Sequence, residues 1–512
     1  MRAEDVPESP QHAQRALVLS RYRGELRQGK GAGTKSGVDF FFEAGTILVR
    51  EEHFQHVRRI LKKLYLLPDE EREPETEPVI AGLRLVRLSR ELNPELDTLA
   101  VLKLIHTGGE VAINRPADDA DDSGDVERPA EGADDSGDVE RPADDADDSG
   151  DVERPADDAD DSGDVERPAE GAEPEHGDRP AEGYRPPGTV RRIVFVTGLG
   201  PGAAAPNHLV SISPNRGNGA GCPAVEPEPV PGGSAPYPGY TADRCAGEGV
   251  KVVVVDTGFD RKARKRSDWL KGVKGDRDKG IKGSQLNDYA GHGTFIAGVI
   301  RSVAPRAEVL VRRGFGPGGV VLESKLVKTL DEIIEKDDPD IISMSAGTYT
   351  YDAGGLHTFA VFAERLRHHK GVVMVVAAGN DDDRKAFWPA AAPYTVSVGA
   401  LGTHWRGRAG FSNFGGWVDV YAPGQDLINA FPVGTYTYRE PPHVVAGKPL
   451  RTEVFHGMAR WSGTSFSTPL VAGLIAARMS RTGENGRDAA AALIAEARQA
   501  AQPGVGAVLL PE

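Results

Sequence analysis

The stretch Arg460-Trp461-Ser462-Gly463-Thr464-Ser465-Phe466-Ser467-Thr468-Pro469 decides how this chain reads. A short run of small residues carries a serine, and the apolar run Leu470-Val471-Ala472-Gly473-Leu474-Ile475-Ala476-Ala477 follows at once. Gly463 permits a sharp turn, and Pro469 is compatible only with the start of a helix. The pattern places Ser465 at the mouth of a buried helix, where backbone N–H groups and the helix dipole favour a developing negative charge. An acyl-transfer nucleophile needs that position. A Ser/Thr-rich N-cap on a core helix has the same local sequence, so the rest of the chain must separate the two.

Upstream, β-branched and helical patterns alternate from Gly247 onward. Val252-Val253-Val254-Val255 reads as a strand buried on both faces. Gly291-His292-Gly293-Thr294 opens an apolar helix reaching Val303. Strands follow at 308–312, 341–345, 372–376 and 395–399. Between them, Leu326, Val327, Leu330, Ile333 and Ile334, and then Phe359, Phe362, Ala363 and Leu366, keep helical spacing. Strands alternating with helices predict an α/β domain with a central parallel sheet covered on both faces, over residues 245–500.

Three more groups fall where such a sheet puts its chemistry. Asp256 ends the first strand, at the carboxyl edge. His292 begins a helix between two glycines. Asn380 ends a strand in Ala377-Ala378-Gly379-Asn380, and its amide can donate to an oxyanion. Serine is a weak nucleophile until a histidine takes its proton, and the histidine needs a carboxylate to hold its tautomer. Taken singly, each has a plain reading: a turn, an exposed histidine, an N-cap. Taken together, in the order Asp, His, Ser, they point to nucleophilic catalysis.

These motifs resemble the signatures of subtilisin-like serine proteases. The resemblance rests on Val254-Val255-Asp256-Thr257-Gly258, Gly291-His292-Gly293-Thr294 and Gly463-Thr464-Ser465-Phe466-Ser467-Thr468-Pro469. Ala377-Ala378-Gly379-Asn380 and Phe411-Ser412-Asn413-Phe414-Gly415 add to it. It implies a three-layer fold and a serine endopeptidase acting on protein or peptide substrates. It implies Asp256, His292 and Ser465 as the triad and Asn380 as oxyanion donor. It further implies that Ser345, Ala346 and Gly347 pair with substrate backbone, while Ala377, Ala378 and Gly379 line the pocket for the side chain before the cut. Phe466 and Ser467 depart from the commoner Met-Ala of the family. No cofactor is assigned. Calcium is compatible with the resemblance, but the family's calcium sites do not map onto these residues. Asp381-Asp382-Asp383 reads as loop charge or a cation site.

The flanking regions differ in character. Residues 1–40 are polar. Residues 41–115 read as a small α/β module of β-α-β-α-β order: a strand at 45–50, a helix over 52–66, a strand at 80–88, a helix at 99–105 and a strand at 111–114. In element order the module resembles the inhibitory prodomains of the family, which predicts an intramolecular contact with the peptidase domain; a partner-recognition module is the rival reading. An inactive, protease-derived scaffold is the rival for the chain as a whole. Residues 116–183 repeat Asp-Asp-Ser-Gly-Asp-Val-Glu-Arg-Pro from Asp121, Asp134, Asp147 and Asp160. With almost no apolar content, the repeat is expected to be a disordered, self-repelling linker. Residues 184–244 form a Pro/Gly-rich connector with candidate strands at 191–196 and 208–212, and 501–512 a tail.

The chain has 77 acidic and 61 basic side chains, a net charge of -16. The repeat region holds 28 of the acids and five arginines, so the remainder carries +7. That charge is too weak and scattered to predict a nucleic-acid partner. The basic run Arg261-Lys262-Ala263-Arg264-Lys265-Arg266 reads as a solvated loop. Only Cys222 and Cys245 are present, which excludes a disulfide scaffold but leaves one bridge open. No run approaches membrane-spanning length, and Met1-Arg2-Ala3-Glu4-Asp5-Val6 opens without an apolar stretch behind it. A cytoplasmic protein with no membrane partner is expected.

Overall fold

The computed structural model describes residues 25–29, 40–67, 76–89, 91–116, 189–212, 226–316, 318–369, 371–439, 443–445 and 448–511. The acidic repeat and Cys222 lie outside them, and Cys245 is exposed. The chain divides into two compact units, Met1–Ile113 with Arg192–Glu512, and Asn114–Arg191. Of the second, only strand ends are described.

The first elements are β1 (Leu26–Gly29), β2 (Phe40–Arg50), α1 (Phe54–Lys63), β3 (Thr76–Ile80), β4 (Leu83–Arg87) and α2 (Thr98–Thr107). Next come β5 (Gly109–Pro116), β6 (Thr189–Val196), which pairs with β5, and β7 (Ala204–Ile212). Where one strand is expected over 80–88 the structure has a hairpin: Ala81-Gly82 turns the chain, with Gly82 at φ +91°. The antiparallel order is β7-β2-β4-β3. So the sheet takes a strand from residues 204–212, which composition places in the connector. The pairing brings Leu48 opposite Ala205 and Phe42 opposite His208.

The larger sheet uses β8 (Lys251–Asp256), β9 (Lys274–Gly275), β10 (Glu308–Arg313), β12 (Ile341–Met344), β14 (Val373–Ala377), β15 (Thr395–Leu401) and β16 (Val420–Pro423). All neighbours are parallel, in the order β9-β10-β8-β12-β14-β15-β16. β8 is central. Val252 and Val254 enter one core with helices α3 (His292–Val303) and α6 (Thr464–Thr482). Val253 and Val255 enter the opposite core with α4 (Glu323–Lys336) and α5 (His357–Leu366). The run of four valines is thus buried on both faces because each face has its own helical layer.

The outer side of α4 and α5 is covered by the N-terminal sheet. Leu48, Val79, Leu83, Leu85 and Val210 share a core with Leu326, Leu330, Phe359 and Phe362. Ile47 and Val49, pointing the other way, pack with Val57, Leu61, Val101 and Ile105 of the module's own helices. A hairpin of β17 (Leu427–Thr437) and β18 (Thr452–Trp461) leads into α6, and α7 (Gly486–Gln499) ends the helices. Two short strands, β11 (Val320–Leu322) and β13 (Ala346–Gly347), flank the end of β7. No described helix is long and apolar enough to cross a membrane.

Candidate active site

Asp256 ends β8 and is fully buried. His292 is the first residue of α3 and 2% exposed. Its Nδ1 lies 2.9 Å from each Asp256 carboxylate oxygen. An Nδ1–H donating there leaves Nε2 as the basic nitrogen of the neutral ring. The approach depends on Gly293, since a Cβ there would stand 2.4 Å from the Gly258 carbonyl and 3.1 Å from Asp256 Oδ1. The Thr257 N–H also donates to Asp256 Oδ1, at 2.7 Å.

Ser465 is the second residue of α6. The His292 ring packs against Trp461 at 5.2 Å and Phe466 at 5.3 Å, aromatics on either side of Ser465 in the chain. The two helices cross closely at Gly473, where a Cβ would meet Val303 at 2.2 Å. Pro469 has no N–H to offer the Ser465 carbonyl one turn back. That carbonyl instead accepts from Ser345 Oγ at 2.9 Å. The proline therefore sets up a link between the helix start and the cleft-edge serine.

Asn380 is held by its acceptor end. Its Oδ1 receives both the N–H and the O–H of Thr464, each at 2.9 Å, which makes Nδ2 the end turned elsewhere. Nδ2 lies 3.5 Å from where a Cβ on Gly463 would stand, on the turn before Ser465. The same Thr464 hydroxyl accepts the Gly379 N–H at 3.2 Å. Asn413, part of the Phe411–Gly415 motif, completes this scaffold. It donates to the Ala378 carbonyl at 2.9 Å and accepts the Asp381 N–H at 2.9 Å. The sequence shows no role for Thr464 or Asn413; each is a buried polar residue inside a quoted motif, and that was the available signal.

Ala377, Ala378 and Gly379 are buried, and Phe387 packs on Gly379, with its ring 3.1 Å from a Cβ placed there. The edge assigned to substrate is already paired. Ala346 stands opposite Ile212 and Gly347 opposite Ser211. On the other side Val320, Val321 and Leu322 pair with Ser211, Val210 and Leu209. Ile212 N–H donates to the Gly319 carbonyl at 2.8 Å. The segment 209–212 therefore lies between β11 and β13 as the middle strand of three.

Just upstream, the 1% exposed His208 contacts the fully buried Glu323. Its Nδ1 is 2.6 Å from Glu323 Oε1, and that oxygen also accepts the His208 N–H at 2.9 Å. Thr358 Oγ1 donates to Glu323 Oε2 at 2.5 Å. His208 Nε2 accepts the Tyr351 N–H at 3.1 Å, which fixes the proton on Nδ1.

Asp381, Asp382 and Asp383 are used locally. Asp381 accepts from Tyr349 Oη at 2.8 Å, Asp382 pairs with Arg408 at 2.7 Å, and Asp383 accepts the Lys385 N–H at 3.0 Å. Among the described residues no group of three or more His, Cys, Asp or Glu is placed to hold a metal. In the basic run, Arg266 pairs with Asp260 at 2.6 Å, Arg264 lies over the Phe259 ring and Arg261 donates to the Gly275 carbonyl at 3.1 Å, while Lys262 and Lys265 face solvent.

The chain is similar to known proteins over its C-terminal half. The profile of the subtilase family, Peptidase S8, matches residues 247–507. A subtilisin-like protease of Coccidioides posadasii is 31% identical over 248 residues, covering 46% of this chain and 53% of that protein. Alkaline protease 1 of Emericella nidulans is 30% identical over 276 residues, covering 52% and 60% respectively. The chain thus spans little more than half the length of these relatives. A solved cold-adapted subtilisin-like serine proteinase aligns over 57% of this chain and 97% of its own at 23% identity, with a TM-score of 0.40. On the family match, which covers half the chain, this protein belongs to the subtilase family.

Proposed function

We propose that the chain is a serine endopeptidase that hydrolyses peptide bonds in protein or peptide substrates and is made latent by its own N-terminal half. The observation that carries the chemistry is the buried His292–Asp256 pair, packed through Trp461 and Phe466 onto the turn bearing Ser465. In this reading Asp256 holds the His292 tautomer and stabilises the imidazolium, and His292 takes the Ser465 proton. Ser465 Oγ attacks the carbonyl, and the negative charge falls at a helix N-terminus beside Asn380 Nδ2. The protonated His292 then passes its proton to the leaving amine. Water, deprotonated by the same ring, releases the acyl group.

Latency follows from the occupied edge. A substrate that adds a strand between β11 and β13 needs the backbone groups that residues 209–212 already engage. The intact carboxylate–imidazole pair favours a restrained enzyme over an inactive scaffold.

Intact mass followed over time, with a fluorophosphonate probe, tests both halves. Wild type should cleave itself C-terminal to Ile212 and before β8, and then label at Ser465. Ser465→Ala should do neither while melting as a folded protein. Undiminished cleavage by Ser465→Ala, or a wild type that never labels, rejects the reading.

A further inference from the structure

A second buried carboxylate stands behind the first. Asp278 is 1% exposed and follows β9 in the loop that leads to His292. Its Oδ2 accepts the Gly291 N–H at 2.8 Å and faces Thr257 Oγ1 at 3.3 Å. Its Oδ1 accepts the Gly280 N–H at 2.8 Å. Thr257 directly follows Asp256, and Gly291 directly precedes His292. One carboxylate therefore joins the turn that leaves the Asp strand to the turn that enters the His helix.

The contact is tight in backbone as well as side chain. Gly258 sits at φ +111°, and a Cβ on it would stand 2.8 Å from Asp278 N. Gly291 sits at φ +84° with Pro432 and Phe431 against it, so neither turn can relax away. Thr257 Oγ1 lies 3.4 Å from Gly293 N, which ties the same cluster to the residue after His292.

A structural cap could be built more cheaply. Burial pushes the Asp278 carboxyl up to about 6, with the Asp256 charge adding to the rise. An acceptor held ionised against that cost presents both oxygens to N–H donors, which an asparagine cannot do. Asp278 also lines a cleft of about 110 Å³ with Thr257, Lys279, Asp288, Tyr289 and Arg313. The charged groups around it are thus Asp256, Lys279, Asp288 and Arg313, with His292 beyond Gly291.

We propose that Asp278 is a positioning residue for catalysis, clamping the Thr257 and Gly291 turns so that His292 Nδ1 stays on the Asp256 carboxylate. The proposal rests on the protease reading above. It assigns Asp278 no contact with substrate. Its carboxylate acts by holding the geometry of the pair.

The test compares wild type, Asp278→Asn and Thr257→Val, each allowed to complete self-cleavage. Active sites are counted by end-point fluorophosphonate labelling, and kcat and KM for a peptide substrate are measured from pH 5 to 9. For Asp278→Asn we expect kcat per labelled site to fall about tenfold at pH 8 with KM within about twofold. Thr257→Val should lower kcat about threefold with KM again within about twofold. A purely structural role would lower the melting temperature and the labelled fraction, with kcat per site unchanged, and that result overturns the proposal. If Asp278→Asn does not fold, Thr257→Val decides: unchanged kcat per site rejects the clamp. A wild type that never labels removes the protease reading and this inference with it.

Discussion

The two large sheets of this molecule are built by opposite rules. In the parallel sheet the central strands are mostly apolar on both faces, as with Val252–Val255, with Ser343 and Ser397 as interior exceptions, and the polar groups of the site stand at the strand ends. Asp256 closes β8 and Asn380 follows β14 there. The described strands of the antiparallel sheet hold none of Asp256, His292, Asn380 and Ser465. They contribute surface: one face for α1 and α2, the other for α4 and α5, and one strand, β7, that runs on into the cleft. The first sheet concentrates chemistry at an edge, and the second delivers a segment of chain to that edge. Their seam is not purely apolar. It holds the His208–Glu323–Thr358 network, fully buried and hydrogen-bonded on each side.

Three perturbations sharpen this contrast. The largest effect is expected at the end of the parallel sheet. Asn380→Ala should reduce kcat by about 10²–10³ with little change in KM, measured on enzyme after self-cleavage. A loss under about fivefold would mean the amide only braces Thr464. Next comes the seam. Glu323→Ala strands His208 Nδ1–H and the Thr358 hydroxyl without their acceptor. The loss is expected to be about 3 kcal/mol, seen as a lower first melting transition and an altered rate of self-cleavage in intact-mass time courses. An unchanged melt and rate would show that the apolar contacts alone hold the module.

The smallest effect is a pH dependence at the same seam. Burial holds His357 below the usual histidine range, opposed by Asp352 and Glu323 and aided by Arg50 and His208. Its folded pKa lies below its unfolded one, so the folded state keeps it neutral and resists protonation. Stability should be unaffected above about pH 6.5 and fall as pH drops below it, by at most about 1.4 kcal/mol per pH unit from this group. Melting curves between pH 8 and pH 5 on Ser465→Ala, which cannot cut itself, would show the decline, and His357→Leu should flatten it. Equal slopes for the two proteins would assign the decline to other groups.

The motifs were legible because each is local. Asp256-Thr257-Gly258, Gly291-His292-Gly293-Thr294 and Gly463-Thr464-Ser465 carry their own turn chemistry and lie at element ends that periodicity marks. The residues that hold them were not. Thr464, Asn413 and Asp278 act through hydrogen bonds to segments 84, 35 and 21 or fewer residues away in sequence, and no spacing rule reports such partners. Ile47-Leu48-Val49 held an unused signal. All three are fully buried, so that strand is covered on both faces, and a second covering layer had to exist. The hairpin at Gly82 was missed because apolar residues run through Ile80 and Leu83 on either side of a two-residue turn.

From sequence alone came the family, the alternation of strand and helix from Gly247 to the strand at 395–399, the helix that follows Ser465, and the identity of the Asp, His, Ser and Asn candidates. These depend on residue type and short-range pattern. The tertiary structure decided where residues 204–212 belong, that they close the N-terminal sheet and then fill the edge at Ala346–Gly347, and that Asp278 stands behind the Asp–His pair. Strand pairing and buried hydrogen bonds between distant segments are set by which surfaces meet when the chain folds. A strand with the sequence Ala-Ala-Pro-Asn-His-Leu-Val-Ser-Ile carries no local mark of the partners it will pair with.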